Sequence, residues 1–387
     1  MRLAAVISHP IQYYAPIFRE LAQRVDLHVF YGQTLSPAQQ ATGFGAAFEW
    51  DVDLLSGYAS SFLTNVSARP GHDHFLGCDT PQIGDELKNG RFDALLVVGW
   101  YLKTFVQATW AAKRLGLPVL VRGDSQLATP RDLAKRAIKS LAYPPLLRSF
   151  DAALYVGQRS RAYYEHYHYP AQRLFFSPHC VDTGWFAARA TQDAGRALRS
   201  ELGIAPDEKV VLFAGKLQAI KRPLDVVEGA AKAPGANVIV AGSGELEGPM
   251  RARAAELGLK VHMLGFLNQT LMPAVYAATD VLVLPGWETW GLVTNEALAC
   301  GVPIIVSDAA GCAPDLAADG AAGRVYRLGD AGALGRAIVE IFARPPSGAV
   351  ITAKSADYSL KAAVDGVVRA MVTVYGPEPR SGTRADG

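Results

Sequence analysis

Two glutamates eight positions apart, Glu288 and Glu296, have the spacing that says most about chemistry in this chain. Glu288 stands in a turn rich in Pro, Gly and Trp, and Glu296 lies inside the helix predicted to follow. That helix would begin at three residues: Gly291, Leu292 and Val293. Backbone N–H groups at a helix N-terminus carry a partial positive charge, which suits a phosphate. Because carboxylates on both sides of a diphosphate would meet the hydroxyls of a ribose and of a sugar, the pattern predicts a nucleotide-sugar site.

Two lysines upstream of the glutamates could supply positive charge to the same diphosphate. Lys216 follows a predicted strand and Gly215, and Lys221 lies five residues later, just before a predicted helix. Cations at a strand end and a helix start would stabilise the charge that grows on a departing phosphate. The alternative is that both lysines are solvated in an ordinary loop, and the downstream glutamates favour the phosphate role.

The stretch 285–303, PGWETWGLVTNEALACGVP, resembles the E-x7-E signature of retaining glycosyltransferases of family GT4. The similarity continues through ALACGVPIIVSD, and the earlier element AGKLQAIKRP matches the family's glycine and lysine positions. It covers most of residues 205–345 and, more loosely, the N-terminal half. The resemblance implies the GT-B fold of the glycosyl transferases group 1, a nucleotide-diphosphate sugar donor, and a product that keeps the donor's anomeric configuration. It also implies that Glu296 binds the ribose hydroxyls and Glu288 the donor sugar.

The resemblance places further residues around the donor. Gly242 and Gly244 lie in a loop that approaches the donor in the family. Phe266 lies in the region that brackets the nucleobase, where it would stack on the base or pack in the core. In the family mechanism the acceptor attacks the same face of the sugar that the phosphate leaves, and the phosphate takes the acceptor proton. The predicted donor site comprises Gly215, Lys216, Lys221, Gly242, Gly244, Phe266, Glu288, Gly291, Leu292, Val293 and Glu296, with catalysis assigned to Lys216, Lys221 and Glu288.

The N-terminal half should hold the acceptor, and here the sequence departs from the family pattern. The loop after the first strand usually carries Gly-Gly, whereas this chain has His9, Gln12 and Tyr13. Many members have a His after the fourth strand, where this chain has Arg122 and Asp124. Asp124 could accept a proton or hydrogen bond from the acceptor hydroxyl, and Arg122 could hold an anionic acceptor or the phosphate; alternatively the two pair and shape their loop. His9 could take part in catalysis or only cap the turn that follows it.

Apolar runs that alternate with helical patterns predict an α/β protein with two doubly wound, Rossmann-like parallel sheets. The predicted strands are 3–7, 26–30, 94–98, 119–121, 152–156 and 174–176 in the first half, and 210–213, 237–240, 260–264, 281–284 and 304–306 in the second. Ligands bind at the carboxyl ends of such strands, so the site is expected in the cleft between two facing domains. The expected boundaries are 1–182 for the acceptor domain, 183–358 for the donor domain, 359–375 for a helix that crosses back to the first domain, and 376–387 for a disordered tail. PHCVD stands near the first boundary, where the family has P-N-G-V-D.

Composition restricts the class of protein and its location. A formal net charge of +2 gives no reason to expect a nucleic acid partner. Four scattered cysteines without C-x-x-C spacing indicate reduced thiols rather than a zinc site. No metal or other cofactor is expected, because protein cations would serve the phosphate and the Asp51-Val52-Asp53 motif lies in a first-domain insertion. The chain has no apolar run of the ~20 residues that span a bilayer, and its start is too short for a signal peptide, so a cytoplasmic location is expected.

Residues 131–141 are predicted to form an amphipathic helix. Arg131, Lys135 and Lys139 share one side, while Leu133, Ala137 and Leu141 share another. The basic side is either a solvated face or a contact with anionic lipid at the inner face of the membrane.

The sequence therefore predicts a retaining glycosyltransferase that moves a sugar from a UDP- or GDP-sugar to a carbohydrate, lipid-linked or small-molecule acceptor, in bacterial polysaccharide, glycolipid or glycosylated-metabolite synthesis. Two alternatives remain open. One is a nucleotide-sugar 2-epimerase or phosphorylase-like enzyme of the same fold, which would turn over without an acceptor hydroxyl. The other is a non-catalytic nucleotide-sugar-binding protein, against which the presence of Glu288, Lys216 and Lys221 argues.

Overall fold

The computed structural model describes residues 1–40, 47–128 and 133–375. The tail predicted to be disordered, 376–387, lies outside the described residues, as do Arg131 and residue 132 of the predicted basic helix. Within the described ranges the chain forms two α/β domains, each built on a parallel sheet.

The N-terminal sheet has the strand order β3-β2-β1-β4-β5-β6-β7, and all of its described strands pair in parallel. The strands are β1 (Arg2–Ile7), β2 (Asp26–Tyr31), β3 (Ala59–Phe62), β4 (Ala94–Val98), β5 (Val119–Gly123), β6 (Ala152–Tyr155) and β7 (Leu174–Phe176). β1 and β4 lie at its centre, and their near-continuous apolar residues are buried because helices cover both faces.

The C-terminal sheet has the order β10-β9-β8-β11-β12-β13, again with parallel pairing throughout its described part. Its strands are β8 (Lys209–Ala214), β9 (Ala236–Ala241), β10 (Lys260–Gly265), β11 (Val281–Leu284), β12 (Ile304–Ser307) and β13 (Gly323–Tyr326). In both sheets the order reverses beside the first strand, and this arrangement opens a crevice at the carboxyl ends of the strands.

The predicted α/β fold with two doubly wound sheets is therefore confirmed, and each strand predicted from the sequence is present. Two edge strands, β3 and β13, were not predicted. β3 has the sequence ASSF with no buried residue, and β13 has GRVY with an exposed Val325. Since edge strands need no apolar residues on both faces, neither segment carries the continuous apolar run that marks the central strands.

Helices cover both faces of each sheet. In the first domain they are α1 (Ala15–Ala22), α2 (Pro37–Gln40), α3 (Ile83–Gly90), α4 (Lys103–Arg114), α5 (Leu133–Arg148) and α6 (Gln158–His166). In the second they are α7 (Thr183–Arg189), α8 (Gln192–Glu201), α9 (Pro223–Ala230), α10 (Glu247–Glu256), α11 (Met272–Ala277), α12 (Val293–Ala299), α13 (Ala331–Ala343) and α14 (Gly348–Asp357). Asp182 and Thr191 accept hydrogen bonds from backbone N–H groups at the starts of α7 and α8, so side chains satisfy donors that a helix start leaves unpaired.

The last helix, α15 (Leu360–Tyr375), packs on the N-terminal domain against α1, β6 and β7. Its buried side is apolar, with Val364 and Val367 in the same core as Phe18 of α1. Gly366 sits directly on the backbone of β7, where a Cβ atom would lie 2.0 Å from the carbonyl oxygen of Phe176. The chain therefore returns to its first domain after completing the second.

No helix in the three described ranges has the length and apolar character needed to cross a bilayer.

Candidate active site

A cavity of about 480 Å³ lies between the two domains, at the carboxyl ends of both sheets. The sequence-predicted residues in its wall are Gln12, Tyr13, Asp124, Gly215, Lys216, Lys221, Glu288, Gly291, Leu292, Val293 and Glu296. The fold thus brings the lysine loop after β8, the glutamate turn after β11 and the loops after β1 and β5 to one place.

The positive charge of the site comes from the loop that follows β8. Lys221 Nζ donates a hydrogen bond to Glu288 Oε1, so the two motifs that are far apart in sequence are joined directly. Burial lowers the pKa of Lys216, the charge of Lys221 lowers it further, and Glu288 acts in the opposite direction. Two ammonium groups against one carboxylate leave a positive charge, which an entering diphosphate would neutralise.

Glu296 lies in the first turn of α12, where it lines the cavity but is largely enclosed. Its Oε2 accepts a hydrogen bond of 2.6 Å from the Tyr276 hydroxyl. Burial raises the pKa of Glu296 to about 7, and the Tyr276 hydrogen bond works against this rise. The proton of this carboxyl group is therefore released near neutral pH, and hydrogen-bond donors such as ribose hydroxyls would favour the carboxylate.

The turn that carries Glu288 is fixed from several sides. The Trp287 amide donates to the carbonyl of Ile220 at 3.1 Å, which ties the turn to the lysine loop. Gly291 has a φ of +107°, and a Cβ atom there would lie 2.4 Å from Leu284 Cδ2. Because only glycine combines that backbone angle with that space, the sharp entry into α12 depends on it.

The glycine loop after β9 lies outside the cavity wall. Gly242 packs on the lysine loop, where a Cβ atom would meet the carbonyl oxygen of Gly215 at 1.8 Å, and Gly244 packs on Leu217 in the same way. The Leu217 amide donates to the carbonyl of Ser243 at 2.9 Å. In this structure the loop supports the lysine loop from behind, and its predicted contact with the donor stays a prediction.

Phe266 also lies outside the cavity wall, and its partner was not expected. The ring packs on Phe48 of the first-domain insertion, with 4.3 Å between centroids and 33° between planes. Next to this pair, Asn268 Nδ2 donates to the carbonyl of Glu49 at 2.6 Å, and the Thr270 amide donates to Asp51. The insertion therefore crosses from one domain to the other and contacts the ring of Phe266, and the predicted stacking of Phe266 on the base stays a prediction.

The guanidinium of Arg122 is surrounded by protein acceptors. The side chain is only 1% exposed, and its guanidinium donates to Tyr14 Oη at 2.6 Å, to Ser177 Oγ at 3.2 Å and to the Pro178 carbonyl at 2.7 Å. Each of its three nitrogens is thus bonded to protein. These bonds anchor the linker between the domains, and the predicted role of Arg122 toward an anionic acceptor or the phosphate stays a prediction.

A second cavity of about 540 Å³ opens in the N-terminal domain next to the first. Much of its wall is aromatic, with Trp100, Tyr101 and Tyr143 on one side. His9 lies in this cavity and not in the first, with its ring 5.2 Å from that of His72. Burial and the neighbouring His72 lower the pKa of His9 to about 4, so this imidazole is neutral at physiological pH.

Three site residues escaped the sequence analysis. His179, from the linker, lines both cavities and lies 3.7 Å from Asp124. Gln126 Nε2 donates to the carbonyl of Glu288 at 2.7 Å, and Arg159 Nη1 donates to Gln126 Oε1 at 3.1 Å. The departure of PHCVD from the family linker was the signal for His179; Gln126 and Arg159 carry no motif.

Comparison with known proteins agrees with this arrangement. Residues 196–357 match the family described as "Glycosyl transferases group 1". The D-inositol 3-phosphate glycosyltransferase of Mycobacterium marinum is 40% identical over 117 residues, which are 28% of this chain and 25% of that protein. The enzyme of the same name from Mycobacterium tuberculosis CDC 1551 is 38% identical over 121 residues, 29% of this chain and 25% of that protein. The chain thus spans about a quarter of the length of the curated relatives it matches.

Solved structures match over nearly the whole chain. Anabaena HepE in complex with UDP has a TM-score of 0.73 at 16% identity, covering 96% of this chain and 100% of that one. Sucrose-phosphate synthase from Thermosynechococcus elongatus has a TM-score of 0.69 at 18% identity, covering 97% and 99%. At such identities the likeness shows a shared fold, and it confirms the GT-B arrangement of two Rossmann-like domains.

Proposed function

We propose that this protein is a GT4-type retaining glycosyltransferase that uses a nucleotide-diphosphate sugar, because residues 196–357 match the family described as glycosyl transferases group 1. The observation that carries the proposal is the direct contact of Lys221 with Glu288 in the interdomain cavity, beside Lys216 and opposite Glu296. This arrangement supports a donor site in which Lys216 and Lys221 meet the diphosphate, Glu288 meets the sugar and Glu296 meets the ribose.

In the proposed reaction the bond between the sugar's anomeric carbon and the diphosphate oxygen breaks, and a bond to the acceptor oxygen forms on the same face. The proton of the acceptor hydroxyl passes to the departing phosphate. Lys216 and Lys221 stabilise the charge on that phosphate, and Glu288 binds hydroxyls of the transferred sugar. The protein cations take the role that a metal has in other transferases, so we propose that no metal is required. Asp51 of the D-x-D motif instead accepts hydrogen bonds from Thr270.

Among donors, UDP-sugars are the first choice for testing, ahead of GDP-sugars. Support comes from Anabaena HepE, which shares the fold and has structures in complex with UDP and with UDP-glucose. Base recognition would fall near Phe266 and the strap formed by residues 48–51, since this strap covers the end of β10.

We propose that the acceptor binds in the second cavity, because this cavity has wall residues in common with the first. The aromatic rings of this cavity could stack on the flat face of a sugar or of another cyclic acceptor, whether free or lipid-linked. Lys139, whose ammonium lies 4.5 Å from the centroid of the Tyr143 ring, stands at the same cavity.

We also propose that the protein is cytoplasmic and contacts the membrane through residues 131–141. Leu141 and Ile138 are 82% and 65% exposed, so Leu141 does not pack inward as the predicted apolar side would. Exposed apolar residues beside Lys139 fit an interface with anionic lipid.

Calorimetric titration with UDP, UDP-glucose and GDP-mannose tests the donor site. We expect one nucleotide sugar to bind, and we expect Glu296→Ala and Lys221→Ala each to weaken binding at least tenfold. Lys260→Ala is the matched control, because Lys260 pairs with Glu208 away from the cleft. Binding that is absent, or equal in all variants, would refute the donor site.

Turnover assays separate the alternatives. Sugar transfer to a hydroxyl acceptor or, slowly, to water supports the transferase. Epimerised donor, or a sugar phosphate formed only with inorganic phosphate, would identify the epimerase or phosphorylase-like reaction. Tight binding without any turnover would identify a binding protein.

A further inference from the structure

Among the described residues, the two cavities share three wall residues: Tyr13, Asp124 and His179. A transfer reaction requires the donor carbon and the acceptor oxygen to meet at one point. If the donor occupies the first cavity and the acceptor the second, as the proposed function requires, that point lies beside these three side chains.

The ring of His179 is held by both domains. Its backbone amide donates to the Val156 carbonyl at 3.2 Å, and its own carbonyl accepts from Asn295 Nδ2 at 3.2 Å. The ring lies between the edge of Tyr13, 6.0 Å between centroids, and Trp290, 5.7 Å away. Only 6% of the His179 side chain is exposed, so its orientation is fixed.

Asp124 is the more accessible member of the pair. Its side chain is 48% exposed, and Oδ2 lies 3.7 Å from His179 Nε2. This distance is slightly too long for a hydrogen bond, but catalytic contacts often shorten when substrate binds. A carboxylate can only accept, so the facing Nε2 carries the proton. Nδ1 of His179 has no hydrogen-bond partner among the described residues, and in this tautomer it is the nitrogen without a proton.

We propose that His179 is a positioning residue whose Nε2–H holds the Asp124 carboxylate at the junction of the two cavities, where Asp124 accepts the hydrogen bond of the acceptor hydroxyl. This inference rests on the proposed function. The acceptor proton still passes to the departing phosphate as its oxygen bonds to the sugar, so Asp124 orients the nucleophile and keeps no proton.

The electrostatics of the pair agree with these roles. Burial raises the pKa of Asp124, but the neighbouring His179, the backbone of Asp124 itself and the charge of Arg122 outweigh burial and lower this pKa overall. Burial lowers the pKa of His179 despite Asp124, so the imidazole is neutral. Asp124 is therefore ionised, and His179 supplies it with a neutral N–H donor.

Other titratable or charged groups also face Asp124. The nearest are Arg122 and the phenols of Tyr13, Tyr14, Tyr101 and Tyr164. Around the cavities stand His9, His72 and Lys139 on the acceptor side and Asp182, Lys216, Lys221, Glu288 and Glu296 on the donor side. His179→Phe leaves all of these groups in place, so a change in the titration of Asp124 in that variant reports the loss of the N–H donor.

The first test needs no substrate. Carboxyl-¹³C-labelled aspartate is followed by NMR against pH, and the Asp124 resonance is assigned by its loss in Asp124→Asn. We expect His179→Phe to raise the pKa of Asp124 by about one unit, because burial is no longer opposed by the N–H donor. His179→Gln, whose amide also offers an N–H, should restore most of the shift. His166→Gln is the control, because His166 is exposed on α6 and lies in neither cavity.

The second test follows turnover of UDP-glucose, or of GDP-mannose if calorimetry selects it, with water or an acceptor. His179→Phe should lower kcat about tenfold with little change in donor KM, and the acid limb of the kcat profile should move to higher pH by the shift seen in NMR. His179→Gln should recover both. An unchanged Asp124 titration in a folded His179→Phe protein, or an unmoved acid limb, would overturn the inference. Wild-type protein that turns over neither donor refutes the proposed function separately, since the NMR titration does not depend on it.

Discussion

The Gln126 side-chain amide, in the N-terminal domain, donates a 2.7 Å hydrogen bond to the backbone carbonyl of Glu288, in the C-terminal domain. Arg159 extends this contact: Nη1 donates to Gln126 Oε1 at 3.1 Å, and the guanidinium also reaches the carbonyls of Asp308 and Ala309. The position of Glu288 thus depends on the first domain being closed against the second.

Replacement of Gln126 by leucine should therefore weaken catalysis without touching the donor. The Glu288 carbonyl would keep the amide of Gly311, which donates to it at 3.0 Å, but would lose the Gln126 donor. The loss of one hydrogen bond costs about 1 kcal/mol, so we expect kcat/KM for the donor to fall about fivefold. Steady-state kinetics measures this loss. Gln192→Leu, at an exposed position on α8, should leave kcat/KM unchanged, and equal kinetics of the two variants would show that the interdomain bond does not position Glu288.

Glu296 should make the protein more stable at low pH than at high pH. Its folded pKa is about 7, above the ordinary value of 4.5. The folded state therefore binds the proton more tightly, and this contribution is complete below pH 4.5 and is lost as the pH rises to 7. The loss is about 3 kcal/mol at most.

Urea unfolding at pH 5 and pH 8 measures this effect. Glu296→Gln cannot ionise, so we expect its free energy of unfolding, relative to the wild type, to be higher at pH 8 than at pH 5. Glu201→Gln, on the exposed end of α8, is the control. A difference between Glu296→Gln and the wild type that is the same at both pH values would contradict the raised pKa.

Lys221 and Glu288 should act as a coupled pair. Lys221→Met removes a cation from the leaving diphosphate and should lower kcat about 100-fold. Glu288→Gln should also lower kcat, and the double variant should lose less than the sum of the two free-energy changes because each single change leaves a charged partner. A double-mutant cycle on kcat/KM measures the coupling, and strictly additive losses would mean that the contact seen in the unliganded site does not persist during the reaction.

Gly366→Ala should undock the last helix. The new methyl group would meet the Phe176 carbonyl oxygen at 2.0 Å, and since β7 backbone cannot easily move, we expect a loss of about 2 kcal/mol or more. Thermal unfolding measures it. Gly348→Ala, in α14, has open space around the new methyl group and a negative φ, so it should change stability little.

The sequence predicted those parts of the site in which the functional residues and the element that positions them lie in one short segment. Glu288 and Glu296 lie within a single turn and helix, and Lys216 and Lys221 lie in a single loop, so short motifs that follow predicted strands were enough to locate them. The central strands were predictable for a similar reason: burial on both faces requires a continuous apolar run.

Residues whose roles depend on the other domain could not be predicted. Gln126 matters because closure brings it to Glu288 of the other domain. His179 is a different case, because the linker brings it beside Asp124 within the first domain. Phe266 has the right type for a base but is covered by Phe48 from an insertion more than 200 positions earlier. Arg122 looked like an anion-binding residue, and only the linker carbonyls that surround it show why its donors are taken.

The return of α15 to the first domain has a consequence for how this protein could be divided or recombined. The chain leaves the N-terminal domain after β7 and re-enters it at Leu360, so the donor domain is topologically an insertion between β7 and α15. Cutting the chain once, after the linker, would strip the apolar cover from α1, β6 and β7. A chimera that exchanges donor specificity therefore needs two splice points, one on each side of the inserted domain, and its last helix must come from the parent that supplies the acceptor domain.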